Sequence, residues 1–175
     1  MAQRKKYLLA FSDSMFSYPT IMITFPGIQL SVADLRTVLS FLASTSNGID
    51  LEVHGGFDAA AASCFPEIVS HIDAILKKRH LNIANVQILC CGHSLGGAVA
   101  TLCSYRLLNH YFAGSNAQNN VLIFSMGQPK TIKASSVNQF TRVVLEKNYV
   151  RFVTYGTYGS RAESSANDIY SKGST

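Results

Sequence analysis

The stretch from Val86 to Ala100, Val-Gln-Ile-Leu-Cys-Cys-Gly-His-Ser-Leu-Gly-Gly-Ala-Val-Ala, narrows the choice of folds more than any other part of this chain. Up to Cys91 it is apolar and partly β-branched, as a buried strand should be. From Ala98 to Leu108 it carries good helix formers with apolar residues at helical spacing. Between the two lies Gly92-His93-Ser94-Leu95-Gly96. A serine at the centre of such a pattern sits on a sharp, strained strand-to-helix turn, and only small residues two positions to either side let strand and helix pass closely. Gly92 and Gly96 meet that demand, and the turn exposes the Ser94 hydroxyl as a nucleophile. Glycines flanking a serine also occur in ordinary turns; the strand before and the helix after single out the nucleophilic form.

The rest of the chain alternates in the same way. Thr20 to Phe25 is a β-branched run that stops at Pro26-Gly27, and Ser31 to Ala43 reads as a helix with Val32, Leu35, Val38, Leu39 and Leu42 on one face. Asn47-Gly48 marks a turn, Ile49 to Val53 a short strand, and His54-Gly55-Gly56-Phe57 a tight passage into a helix from about Asp58 to Arg79, with Pro66 as its weak point. Beyond a polar loop at Gly114 to Asn120 come a strand at Val121 to Met126, a helix near Ser136 to Glu146 and a last strand at Tyr149 to Tyr155. Alternation of this kind predicts an α/β fold, a mostly parallel sheet with helices on both faces. After Gly156 the composition shifts to Ser, Gly, Ala and Asn and the hydrophobic periodicity stops. Residues 1–156 are therefore expected to form one domain and 157–175 an atypical, disordered tail.

With 175 residues, 47% of them hydrophobic, the chain can bury a real core. Its formal charge of +5 is spread out, with clusters at Arg4-Lys5-Lys6 and Lys77-Lys78-Arg79 that read as a solvated terminus and a helix end. No basic motif for nucleic acid is present. A basic chain is still attracted to anionic lipid surfaces, which leaves peripheral lipid contact open. Cys64, Cys90, Cys91 and Cys103 lack the spacing of a zinc site, and three of them fall on segments expected to be buried beside the Ser94 turn. Neither a metal nor a cofactor is implied. The run Tyr7-Leu8-Leu9-Ala10-Phe11 is too short for a signal-peptide core, no stretch reads as a transmembrane helix, and no disulfide framework is evident. These features lean towards the cytoplasm without fixing a location.

Four segments in order resemble the class 3 lipases, the fungal-lipase-like family of α/β-hydrolases, over roughly Thr20 to Gly156. Phe25-Pro26-Gly27-Ile28-Gln29 is similar to the family's oxyanion segment, Phe-Arg-Gly-Ser/Thr, and Val53-His54-Gly55-Gly56-Phe57 to its His-x-Gly-Phe. Gly92 to Gly97 resembles Gly-His-Ser-Leu-Gly-Gly, and Phe124-Ser125-Met126-Gly127-Gln128-Pro129 the strand end Phe-Gly-x-Pro. The resemblance implies an α/β-hydrolase-type fold and a carboxylic ester hydrolase acting on acylglycerols or other lipid esters through an acyl-enzyme on Ser94. It also implies an oxyanion held by the backbone N–H of Leu95 and a second N–H at Ile28. Ile28 lacks the hydroxyl usual at its position, and Pro26 replaces the usual arginine. By position, the helix at Ser31 to Ala43 resembles the family's mobile lid; an amphipathic helix packed on the core would carry the same pattern.

Triad partners in this fold follow the serine in the order acid, then histidine. Here the last histidine is His110, on the helix that begins at the serine, and Thr157 stands where the resemblance places the aspartate. Asp168 is the sole aspartate after Ser94 and lies in the atypical tail. Two readings follow: a lipase cut or frame-shifted before its triad acid, its base and its C-terminal elements, or a non-catalytic hydrolase-like module that binds a lipid or a protein. A histidine supplied by a partner chain would be a third.

Overall fold

The computed structural model describes residues 6–14, 18–27, 49–113, 121–129, 131–132, 136, 140 and 150–155, the last of these through their backbone. In chain order the strands are β1 (Leu8–Ser12), β2 (Thr20–Phe25), β3 (Gln87–His93), β4 (Val121–Met126) and β5 (Val150–Tyr155). The helices are α1 (Gly55–Arg79) and α2 (Leu95–Phe112), with a short 3₁₀ turn at Ile83–Asn85.

The strands form one five-stranded sheet in the order β1-β2-β3-β4-β5. β1 runs antiparallel to β2, and every later pair is parallel. The α/β architecture expected from the sequence is therefore present, as a mixed sheet with β1 as its antiparallel edge. Register is in phase across the centre, with Ile21 beside Ile88, Ile23 beside Cys90, and Cys90 beside Ile123. Residues that share a register position share a face, so the β-branched side chains of β2 to β4 point together towards the helices.

The main core lies between that face and the two helices. Ile21, Ile23, Ile88 and Cys90 from the sheet meet Ile68 and Ile72 of α1 and Cys103 and Leu107 of α2, all fully buried or nearly so. A second cluster sits on another side of α2, where Ala98, Leu102 and Tyr105 meet Leu51, Val53, Phe57 and Phe140. α2 is thus packed on two sides, and this is why so few of its residues are polar. By length and composition α1 could cross a bilayer, contrary to the sequence expectation. Instead it lies along the sheet, with Cys64, Ile68 and Ile72 inward.

Several boundaries differ from expectation. β1 was read as a terminal apolar run, yet its backbone completes the sheet edge beside β2. The strand expected at Ile49 to Val53 is reduced to a single antiparallel bridge between Val53 and Ile132. α1 starts at Gly55 rather than Asp58 and passes through Pro66 without a break. Pro66 is exposed, so water can serve the carbonyl its missing N–H leaves unbonded. At the other end, His80 takes the left-handed conformation (φ 53) and its N–H closes on Leu76 and Lys77, while Lys77, Lys78 and Arg79 face the negative end of the helix dipole. Ser136 and Phe140 are helical, and the rest of the helix expected there lies outside the described residues, as do the helix at Ser31 to Ala43 and the tail at 157–175.

Candidate active site

β3 delivers the chain to Ser94, and α2 carries it away at once. Ser94 has φ 54 and ψ −126, and among the described residues His80 is the one other non-glycine with positive φ. Such a conformation costs about 1–3 kcal/mol and persists only where its surroundings enforce it. They do so here with hydrogen bonds on both sides of the residue. The Ser94 N–H donates to the Met126 carbonyl at 2.8 Å, and the Ser94 carbonyl accepts from the Gly97 N–H at 3.0 Å. One bond ties the serine to the end of β4, and the other opens α2.

The flanking glycines are held by contact. A Cβ on Gly92 would lie 2.2 Å from the carbonyl carbon and oxygen of Gly96, and one on Gly96 would lie 2.3 Å from the Phe25 carbonyl oxygen. A Cβ on Gly97 would lie 3.1 Å from the Cβ atoms of Ser125 and Gln128. Strand, helix and the end of β2 therefore converge on Ser94 at distances that no side chain tolerates. Thr101 adds a side-chain link, its Oγ1 lying 3.0 Å from Gly97 O and 2.9 Å from Gln128 Oε1, with its one hydroxyl proton shared between the two acceptors.

The turn brings Ser94, Leu95, Gly92 and Gly96 together. Leu95 is the first residue of α2, and a helix's first turn has no internal acceptors for its N–H groups. Ile28, expected as the second oxyanion donor, lies outside the described residues. Its neighbour Gly27 is close, since a Cβ there would stand 2.9 Å from the His93 carbonyl oxygen.

His93 is exposed and, by strand alternation after buried Gly92, lies on the sheet face away from α1 and α2. His54 stacks on Phe57 with ring centroids 4.3 Å apart, as a packing turn should. His71 is bonded to the Tyr7 hydroxyl, His80 caps α1, and His110 sits at the far end of α2 against Phe65 and Tyr111. Of the cysteines expected beside the turn, Cys90 and Cys103 are buried, while Cys91 is half-buried on the other sheet face.

Four features had no sequence signal. Asp58 is fully buried and paired with Arg106 at 2.5 Å, joining α1 to α2 across 48 residues of chain. The Tyr105 hydroxyl donates to Asp50 at 2.7 Å. The Ser125 hydroxyl is buried beneath the turn and has no hydrogen-bond partner among the described residues. Beside Leu95, a cavity of about 340 Å³ is lined by Phe25, Pro26, Phe57, Ala60, Leu95 and Val99, with Lys6 and Ser63 as its polar contributors.

The family model "Lipase (class 3)" matches residues 22–156, most of the chain. The chain belongs to the class 3 lipase family. Solved lipases share the fold at low sequence identity. A fungal lipase in complex with an inhibitor aligns with TM-score 0.59 and 19% identity, over 85% of this chain and 57% of its own. The lipase of Rhizopus microsporus var. chinensis gives 0.60 and 20%, over 77% and 44%. The triacylglyceride lipase of Rhizomucor miehei gives 0.56 and 18%, over 86% and 58%. The chain thus spans about half the length of these lipases. No curated protein matches it significantly in sequence.

Proposed function

We propose that this class 3 lipase domain presents Ser94 as the nucleophile of a lipid ester hydrolase. The observation that carries the reading is the backbone of Ser94, a strained conformation kept by two hydrogen bonds and by glycines that cannot be replaced. Strain of this kind in a non-glycine residue is maintained where a side chain must be aimed. Ser94 Oγ would attack the ester carbonyl carbon, the alkoxide would leave with a proton, and water would later cleave the acyl-enzyme. The Leu95 N–H, with that of Ile28, would hold the oxyanion. The apolar cavity beside Leu95 suits a hydrocarbon chain, and its volume lies near the small end of ligand pockets, which run from about 300 to 1,000 Å³. A related solved triacylglycerol lipase has a serine-protease-type triad as its catalytic centre.

The proton on Ser94 needs an acceptor, and the chain has no histidine beyond His110, which stands at the opposite end of α2. Without an imidazole base the serine ionises only through water or hydroxide. Hydrolysis of p-nitrophenyl esters by the 175-residue chain should therefore be slow, should rise steadily with pH without a plateau near the histidine pKa, and should vanish in Ser94→Ala. A plateau near neutral pH would mean that a base acts on Ser94 after all. A second reading, a lipid-binding module without turnover, is favoured by Pro26 and Ile28, which stand where the family has arginine and a hydroxyl residue; it predicts no Ser94-dependent hydrolysis but saturable binding of a fatty-acid probe.

A further inference from the structure

The cavity beside Leu95 is apolar along most of its wall and cationic at one end. Four segments build it: Phe25 at the end of β2, Phe57 and Ala60 on the first turns of α1, Leu95 and Val99 at the start of α2, and Lys6 just ahead of β1. Strand order sets which of these lie apart. β1 lies beside β2, and β2 beside β3, whose end leads into Leu95, so Lys6 and Leu95 stand on opposite sides of β2. Two strand spacings separate them, about 10 Å. The charge of Lys6 reaches the cavity wall: burial raises the Cys64 thiol, and Lys6 is among the groups that act against that rise. Ser63, beside Cys64 on α1, adds a hydroxyl to the wall. The carboxylates of α1 have other engagements, Asp58 with Arg106 and Glu67 with the Tyr7 hydroxyl. Among the described residues none makes an ion pair with Lys6.

We propose that this cavity favours acyl chains that end in a carboxylate, with the ester carbonyl at the Leu95 N–H, the chain across the end of β2 and the carboxylate at Lys6. The substrate class is then the half-ester of a dicarboxylic acid, and its ester end rests on the reading of Ser94 as nucleophile. Carbon–carbon bonds of about 1.5 Å, laid in a zigzag, cover the 10 Å in about eight steps, so a suberyl chain matches the span. One ammonium and one hydroxyl suit a monoanion; a phosphate is held by arginine forks or by several N–H groups together. Lys6 is exposed, and a solvated pair of this kind gives a preference of about three- to fivefold rather than an absolute requirement.

Titration calorimetry on Ser94→Ala, which leaves the ester intact, compares monomethyl suberate with dimethyl suberate, two ligands of nearly one length that differ by a single charge. The half-ester should bind about three- to fivefold more tightly at low salt and lose that advantage towards about 1 M salt. Lys6→Gln should weaken the half-ester alone, and Lys6→Glu should reverse the preference. Ala60→Leu fills the cavity from an exposed helix position, so the fold should survive while both ligands bind more weakly. Equal binding of the two ligands, no saturable binding of either, a preference indifferent to Lys6→Gln, or binding untouched by Ala60→Leu would each overturn the inference. The hydrolase reading fails separately: a Lys6-dependent preference in a chain whose Ser94 takes no fluorophosphonate would support the carboxylate site and contradict the nucleophile.

Discussion

At the scale of single residues, Gly92 and Gly96 decide whether Ser94 can exist in its conformation. Alanine at either position drives a methyl group into backbone 2.2–2.3 Å away, where no flexible side chain can yield. Gly92→Ala should therefore cost about 3 kcal/mol or more, visible as a lower urea midpoint, and remove whatever reactivity Ser94 has. A fully stable Gly92→Ala would mean that strand and helix are not in this contact. Ser94, Leu95, Gly92 and Gly96 were legible in the sequence because the turn is local, its signal complete within one short run. Neither the Asp58–Arg106 pair nor the burial of the Ser125 hydroxyl was legible, since each depends on which elements the fold stacks together.

Among the elements, α2 is the one on which everything else is assembled. It begins at Ser94, packs on the sheet with Cys103 and Leu107, and meets the outer cluster with Ala98, Leu102 and Tyr105. Arg106 fastens it to α1 through Asp58, whose side chain is 0% exposed. Arg106→Met would leave that carboxylate buried without its guanidinium and should cost about 3–5 kcal/mol in urea denaturation, while adding Asp58→Leu should recover most of the loss. An unchanged midpoint in the single variant would contradict a paired Asp58. Strands β2, β3 and β4 and helix α2 could be read ahead of the structure, because each is a long apolar run with one clear period. β1 could not: it is five residues long and is followed by Ser12-Asp13-Ser14, so only its pairing with β2 makes it a strand. The start of α1 was misplaced for a similar reason. Gly55-Gly56 reads as a turn by propensity, but Gly55 is buried and helical in the packed molecule.

At the scale of the whole molecule, the described core between the sheet and helices α1 and α2 holds buried thiols and a buried tyrosine hydroxyl. Burial pushes the Cys90 thiol up to about 12 and raises those of Cys103 and Cys64. The Tyr105 hydroxyl is likewise pushed up to about 12, by burial and by its bond to Asp50. A group whose pKa is raised on folding stabilises the fold fully below its unfolded pKa and loses that contribution as pH climbs towards the folded one. The unfolded chain releases thiol protons above about pH 8.5 while the folded chain retains them, so stability should fall by up to about 1.4 kcal/mol per pH unit for each such thiol. Urea midpoints that stay level from about pH 8 to about pH 10 would contradict this picture of the core.

The proposed hydrolase reading makes Ser94 the carrier of the reactive atom. Incubating the folded chain with a fluorophosphonate and mapping the adduct by mass spectrometry tests this most directly. A single adduct on Ser94, formed faster at higher pH and absent from Ser94→Ala, is the expected result. A cooperatively folded chain that stays unlabelled at every pH would contradict it.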